Sequence, residues 1–222
     1  MISKLYINKL SSIRNLLKAV ATLVFLLPGV LLYSQESTPK SAVFPTFGFG
    51  VGFFYPKGVN DYIKEMNSQY SETFNTQIYM YFEIKGGLTF RMKKFDVSAV
   101  LEYDMAPKIV TVSNGDSKSY SFNRLSPEIS ANYYFPNKTG KNAFFLGAGV
   151  NYSFLKFQDF KGESPGFKLQ AGYSLQFGKT NLQPYVAFRS VSADDKVNGL
   201  NLNYTGGQIG IIISSHKRIS YK

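Results

Sequence analysis

The chain has 222 residues, 20 of them Phe and 16 Tyr, with no Cys and no Trp. The lack of cysteine excludes disulfides, thiol catalysis, a lipidated cysteine anchor and the sulfur ligands of a structural zinc site. The formal charge is +11, but Lys and Arg are scattered along the chain rather than gathered on one face, which argues against nucleic-acid binding.

The N-terminus reads as an export signal. Lys4, Lys9, Arg14 and Lys18 precede an apolar run of 14 residues, Ala19 to Leu32. That order suits a signal peptide, and the run is short of the ~20 residues that a spanning helix needs. Cleavage is expected near Ser34, leaving Gln35 as the new terminus; an uncleaved anchor is the competing reading. With 4 of the 25 basic residues in the leader, 21 remain against 14 acidic ones, a net +7. The expected organisation is a signal peptide over 1–34, a linker over 35–41, a barrel over 42–215 and a basic tail over 216–222.

After residue 42 apolar and polar residues alternate with period two, in segments of about ten residues. The first sets Phe47, Phe49, Val51 and Phe53 against Gly48, Gly50 and Gly52. A long link over 56–76 follows. In it Val59, Tyr62, Ile63, Met66 and Tyr70 recur at near-helical spacing after Asn60, which predicts a short amphipathic helix capped by Asn60.

The second segment sets Ile78, Met80, Phe82, Ile84, Leu88 and Phe90 against Tyr79, Tyr81, Glu83, Lys85, Thr89 and Arg91. The third sets Phe95, Val97, Ala99, Leu101 and Tyr103 against Asp96, Ser98, Val100, Glu102 and Asp104. Equivalent patterns run through 124–135, 144–154, 167–177 and 182–189. The eighth segment covers about Leu200 to Ile213, and its alternation breaks at Gly206-Gly207, read as a bulge or kink. Short polar links near 92–94, 136–141 and 178–181 alternate with longer ones at 56–76, 105–119, 157–166 and 191–199.

This pattern predicts an all-β fold: an eight-stranded antiparallel up-and-down transmembrane β-barrel, with a cleaved signal helix before it and a short helix in the first long loop. A soluble lipocalin-like barrel shares the period but points its apolar face inward. Three features favour lipid outside. The leader places the chain beyond the inner membrane. Phe90, Phe95, Phe135, Phe144 and Phe177 abut the short turns, while Tyr55, Tyr103, Phe154, Phe167, Phe188 and Tyr204 fall near the long links, as two interfacial girdles require. The polar face also mixes small residues with both charge signs, which suits a filled lumen.

The leader ending Leu32-Tyr33-Ser34-Gln35 and the segment Phe53-Phe54-Tyr55-Pro56 followed by Val59-Asn60-Asp61-Tyr62-Ile63 carry a resemblance. With the alternating strands, they make the chain similar to small outer-membrane barrels of the Bacteroidetes, the PorT-like and OmpA/OmpX-like families. The chain departs from proteobacterial barrels in ending Ile-Ser-Tyr-Lys rather than on a terminal Phe. The resemblance implies the outer membrane of a Gram-negative bacterium. It also implies outer-membrane lipid and the barrel-assembly machinery as partners, with an extracellular or secretion-system protein as a further one.

The inward charges are expected to be Glu83, Lys85, Arg91, Asp96, Glu102, Arg124, Glu128, Lys168 and Arg189. They read either as a structural ion-pair plug or as a gated ion or proton path; eight strands leave little interior room, which favours the plug. Glu102 and Glu128 would be the candidates for a catalytic carboxylate pair. The only histidine, His216, lies in the basic tail, at the wrong end of the barrel for outer-leaflet lipid chemistry. The glycine run 48–52 lacks the strand-to-helix break of a nucleotide loop. No catalytic, metal or cofactor site is predicted. The expected function is a non-enzymatic barrel, structural or partner-binding through its long loops. A narrow channel for ions or small solutes, a lipid-active enzyme and a secretion-machinery accessory are the alternatives.

Overall fold

The computed structural model describes residues 41–68, 77–107, 109–113, 116–139, 142–195 and 199–215. The leader with Ser34 and Gln35, Tyr70, and the tail with His216 lie outside them.

The elements in chain order are β1 (Ser41–Phe54), α1 (Lys57–Ser68), β2 (Met80–Met92), β3 (Phe95–Met105), β4 (Ile109–Ser113), β5 (Asp116–Tyr120), β6 (Phe122–Pro136), β7 (Ala143–Phe157), β8 (Phe160–Phe177), β9 (Thr180–Asp194), β10 (Asn201–Asn203) and β11 (Gly206–Ser215). Eight of the strands form a closed antiparallel ring, β1-β2-β3-β6-β7-β8-β9-β11. The ring is sealed by β1 against β11, from Thr46↔Ser214 to Phe54↔Gly206. Closure leaves no open sheet edge along the wall, which hydrocarbon surroundings demand. β4 and β5 form a separate hairpin between β3 and β6. β10 adds three pairs to the far end of β9. The register sets Ser41 opposite Met92 and Ser215 opposite Thr180, so both ends of the barrel lie at the short-turn side.

The apolar face points outward on all eight wall strands. Phe47 is 63% exposed, Ile84 54%, Leu101 52%, Ile129 58%, Val150 65%, Leu169 52%, Val186 56% and Ile209 55%. Glu83, Glu102, Arg124 and Arg189, on the alternate positions, are buried. On β7 the outward apolar positions run from Phe144 to Phe154. Ten steps at about 3.4 Å, tilted by about 45°, give an apolar band of ~25 Å. Among the described residues no helix is long and apolar enough to cross a membrane; the crossing elements are strands.

Two of the links expected to be long are mostly strand, and a third begins as strand. The chain turns between β7 and β8 on Gln158 and Asp159 alone, with φ of 54° at Gln158. β9 continues to Asp194, and 105–119 is largely the β4–β5 hairpin. Period two persists in these extensions, but its polarity inverts. Leu155, Phe157, Val191, Ala193 and Leu202 point inward and are buried, while Lys156, Lys161 and Asp194 face outward. Beyond the lipid zone the outer surface meets water, so the apolar side chains turn into the barrel mouth.

The same inversion corrects three placements. Ile78 is buried, while Tyr79 is exposed and stacks on Tyr55 at 5.8 Å between ring centres. Tyr204 is not part of the outer girdle; it is 2% exposed and points inward. The eighth strand is interrupted at Tyr204–Thr205, where Thr205 N donates to Asn203 Oδ1. Gly206 and Gly207 are regularly paired with Arg189 and Phe188. Gly206 is needed for close approach, because a Cβ there would lie 2.0 Å from the Phe53 carbonyl oxygen.

α1 starts at Lys57, three residues before the expected cap. Asn60 N already follows the helical pattern, donating to Pro56 O. The Asn60 side chain instead bonds both backbone groups of Ile78, accepting from its N at 2.8 Å and donating to its O at 3.2 Å. That clamp ties the helix to the start of β2.

Candidate functional site

The lumen holds three layers. At the loop end, Val59 and Ile63 of α1 are fully buried in an apolar and aromatic cluster with Phe54, Tyr81, Phe122 and Tyr204. The rings of Phe54 and Tyr81 lie 4.6 and 4.8 Å from that of Tyr204. Tyr62 packs edge-on against Phe160 at 5.0 Å. The helix and these rings stopper the mouth. Gly52 makes room for one of them: a Cβ there would lie 1.9 Å from the Tyr81 ring.

Beneath the stopper is a charge cluster built from alternate positions of five strands. Glu102 is its centre and is fully buried. Its Oε2 accepts from Arg124 Nη2 at 2.8 Å and Arg189 Nη2 at 2.5 Å, and its Oε1 accepts from Lys168 Nζ at 2.9 Å. Asp104 Oδ2 accepts from Arg124 Nε at 2.7 Å and Arg189 Nη1 at 3.1 Å. Glu83 pairs with Arg189 at 2.9 Å and Lys85 at 3.2 Å. Lys168 also pairs with Glu128. The Tyr185 hydroxyl donates to Glu83 Oε1 and accepts from Lys85 Nζ and Gln208 Nε2. Arg124 stacks 5.1 Å from the Tyr204 ring, which joins this layer to the stopper.

Nearer the turn end the lumen is polar but less charged. Thr46, Thr89 and Ser98 form a chain of hydroxyl contacts at 2.7 and 2.8 Å, and Gln170 donates to Asn132 Oδ1 at 2.7 Å. A cavity of ≈ 20 Å³ lies here, lined by Thr46, Thr89, Glu128, Lys168, Gln170 and Ser214 among others. That volume admits about one water. Arg91 and Asp96 pair separately at 2.8 Å, with the Tyr134 hydroxyl and Asn132 amide also donating to Asp96. The Arg91 guanidinium lies 4.3 Å from the Tyr134 ring centre.

The structure therefore places all nine residues of the expected charge set inside the barrel, in two groups rather than one. Seven join the main cluster and two, Arg91 and Asp96, stand apart from it. Asp104 belongs to the main cluster as well. It was legible as the next residue of Glu102's face, two positions on. Tyr81, Tyr185 and Tyr204 complete the site, and period two alone does not mark them as partners. Among the described residues these two groups hold five buried carboxylates and five buried cations and are formally neutral; the sixth buried carboxylate, Asp195, lies past the end of β9.

Such a set is well suited to holding strands in register and poorly suited to turnover. Lys168 Nζ bridges Glu102 and Glu128, which rules against those two carboxylates working as an exposed acid–base pair. Taking ten charges out of water is tolerable only because each is met by opposite charge and, Glu128 excepted, by hydrogen bonds. Removing one member leaves a buried charge of its group uncompensated.

No protein-family model matches the sequence, and no curated protein is similar to it at the sequence level. Solved structures match the chain at low identity. Neisserial surface protein A is 12% identical, with a TM-score of 0.56 over 81% of this chain and 99% of that one. The N-terminal β-barrel domain of Pseudomonas aeruginosa OprF is 12% identical, with a TM-score of 0.42 over 78% of this chain and 96% of that one. The chain shares the eight-stranded barrel fold of Neisserial surface protein A, and its apolar outer wall is what hydrocarbon surroundings require.

Proposed function

We propose that the protein is a non-enzymatic outer-membrane barrel whose filled lumen is structural and whose loop end carries its interactions. One observation supports this above others: among the described residues stopper, charge cluster and polar layer pack the cylinder, and the cavity beside Thr46, Lys168 and Ser214 holds ≈ 20 Å³. Among the described residues, the packed rings of Phe54, Tyr81 and Tyr204 lie across the loop-end approach to the charge cluster. In this reading the leader over 1–34 is removed near Ser34 and Gln35. The assembly machinery then inserts the barrel with its short turns in the periplasm. The extended hairpins β4–β5 and β7–β8 present the surface for an extracellular or secretion-system protein.

Planar-bilayer recording of the refolded protein tests the proposal. No unitary conductance is expected. Stable openings in the wild type would overturn it and favour the second reading, a narrow ion path. The polar cavity beside Lys168 and Glu128 is the observation on that side.

A further inference from the structure

The charges outside the lumen are sorted by end. The loop end is mixed: Asp61, Glu65, Asp159 and Asp194 are exposed there beside Lys57, Lys64, Lys156 and Lys161. The turn end is not. Lys93 and Lys94 form the β2–β3 turn, Lys138 lies in the β6–β7 turn and Lys179 in the β8–β9 turn, all exposed. No Asp or Glu occurs in 92–95, 136–142 or 177–181. No carboxylate among the described residues pairs with any of these four lysines. With the lumen neutral, the barrel's excess positive charge gathers at one end.

The depth of these lysines identifies what they meet. Lys94 adjoins the exposed Phe95, Lys179 lies two residues past the exposed Phe177, and Lys138 lies three past the exposed Phe135. At about 3.4 Å per residue, the ammonium groups sit within ~10 Å of the aromatic ring that marks the edge of the hydrocarbon. That is the level of lipid phosphates. The three turns are also spread round the circumference, between β2 and β3, β6 and β7, and β8 and β9. A leaflet surrounds the barrel on all sides, whereas a protein partner would have to cap the whole end.

We propose that the turn end is an electrostatic dock for anionic phospholipid headgroups of the leaflet it faces. Each turn lysine holds a headgroup phosphate beside its neighbouring Phe. The lipid shell at this end is enriched in anionic lipid, and the loop end shows no such preference.

The test uses the refolded protein in phosphatidylcholine nanodiscs titrated with phosphatidylglycerol, read by amide NMR shifts. Saturable, salt-sensitive shifts are expected at Lys93, Lys94, Lys138 and Lys179 and not at Lys156 or Lys161. In the K93Q/K94Q/K138Q/K179Q variant the apparent affinity should fall on the order of five-fold per lysine at low salt. The corresponding Lys→Arg variant should keep it. Heat-modifiable gel migration checks folding, and the four single Lys→Gln variants carry the same comparison if the quadruple one does not fold. Unchanged phosphatidylglycerol preference in the Gln variants would overturn the proposal. So would shifts confined to the loop end. Soluble glycerophosphoglycerol or a soluble acidic peptide giving the same response in pure phosphatidylcholine discs would also overturn it, assigning the lysines to a free phosphate or to a protein.

Discussion

Replacing Glu102 by Gln perturbs the lumen at its centre. The Glu102 carboxylate receives Arg124, Lys168 and Arg189 within 2.9 Å and lies 4.0 Å from Lys85. In the E102Q protein Arg124, Lys168 and Arg189 lose the same anionic partner at once, and the four cations face only Glu83, Asp104 and Glu128. Breaking a buried charge group in this way costs about 3–5 kcal/mol. Glu128 is different: its ion pairing is with Lys168, which keeps Glu102 as a partner. E128Q should therefore cost less, about 1–3 kcal/mol. With a urea slope of about 2 kcal/mol per molar, E102Q lowers the unfolding midpoint by about 2 M. The assay is equilibrium urea unfolding of the refolded barrel in lipid vesicles, followed by far-UV circular dichroism and the heat-modifiable gel shift. A midpoint for E102Q equal to wild type, or one above that of E128Q, would refute the view that Glu102 centres the cluster.

Two further perturbations separate the outer wall from the stopper. Val150 lies midway along the outward apolar run of β7 and is 65% exposed, so V150R should destabilise the vesicle-inserted barrel by about 2–4 kcal/mol; vesicle unfolding with no loss of stability would place that wall in water. Ile63 is fully buried beneath α1, and I63A should cost about 2–4 kcal/mol and speed proteolysis within 57–68 while the wall strands stay protected. Equal protection of the helix in both proteins would count against its role as the stopper.

Much of this molecule follows from period two. Alternation from Phe82 to Phe90 or from Phe144 to Phe154 determines which side chains share a face, because successive Cβ atoms point to opposite sides of a strand. The charges of Glu83, Glu102, Arg124 and Arg189 on the shared polar face could be assigned to one side of the sheet for the same reason. Alternation carries no sign, however: it says two faces exist, not which encloses the interior. Ring closure, β1 onto β11, decided that the polar face is the inner one. Closure also set partners far apart in sequence at salt-bridge distance, such as Glu83 and Arg189, which no local pattern encodes. The barrel mouth was least legible. At Leu155 and Phe157 the alternation continues while its polarity reverses, since water replaces lipid outside and α1 supplies an apolar partner within. A reading that tracks outward apolar residues sees a loop begin there; the folded chain instead continues its strands and turns their apolar face inward over the charges. The architecture was thus determined locally by spacing, whereas the filling of the barrel depended on surroundings that only the closed sheet creates.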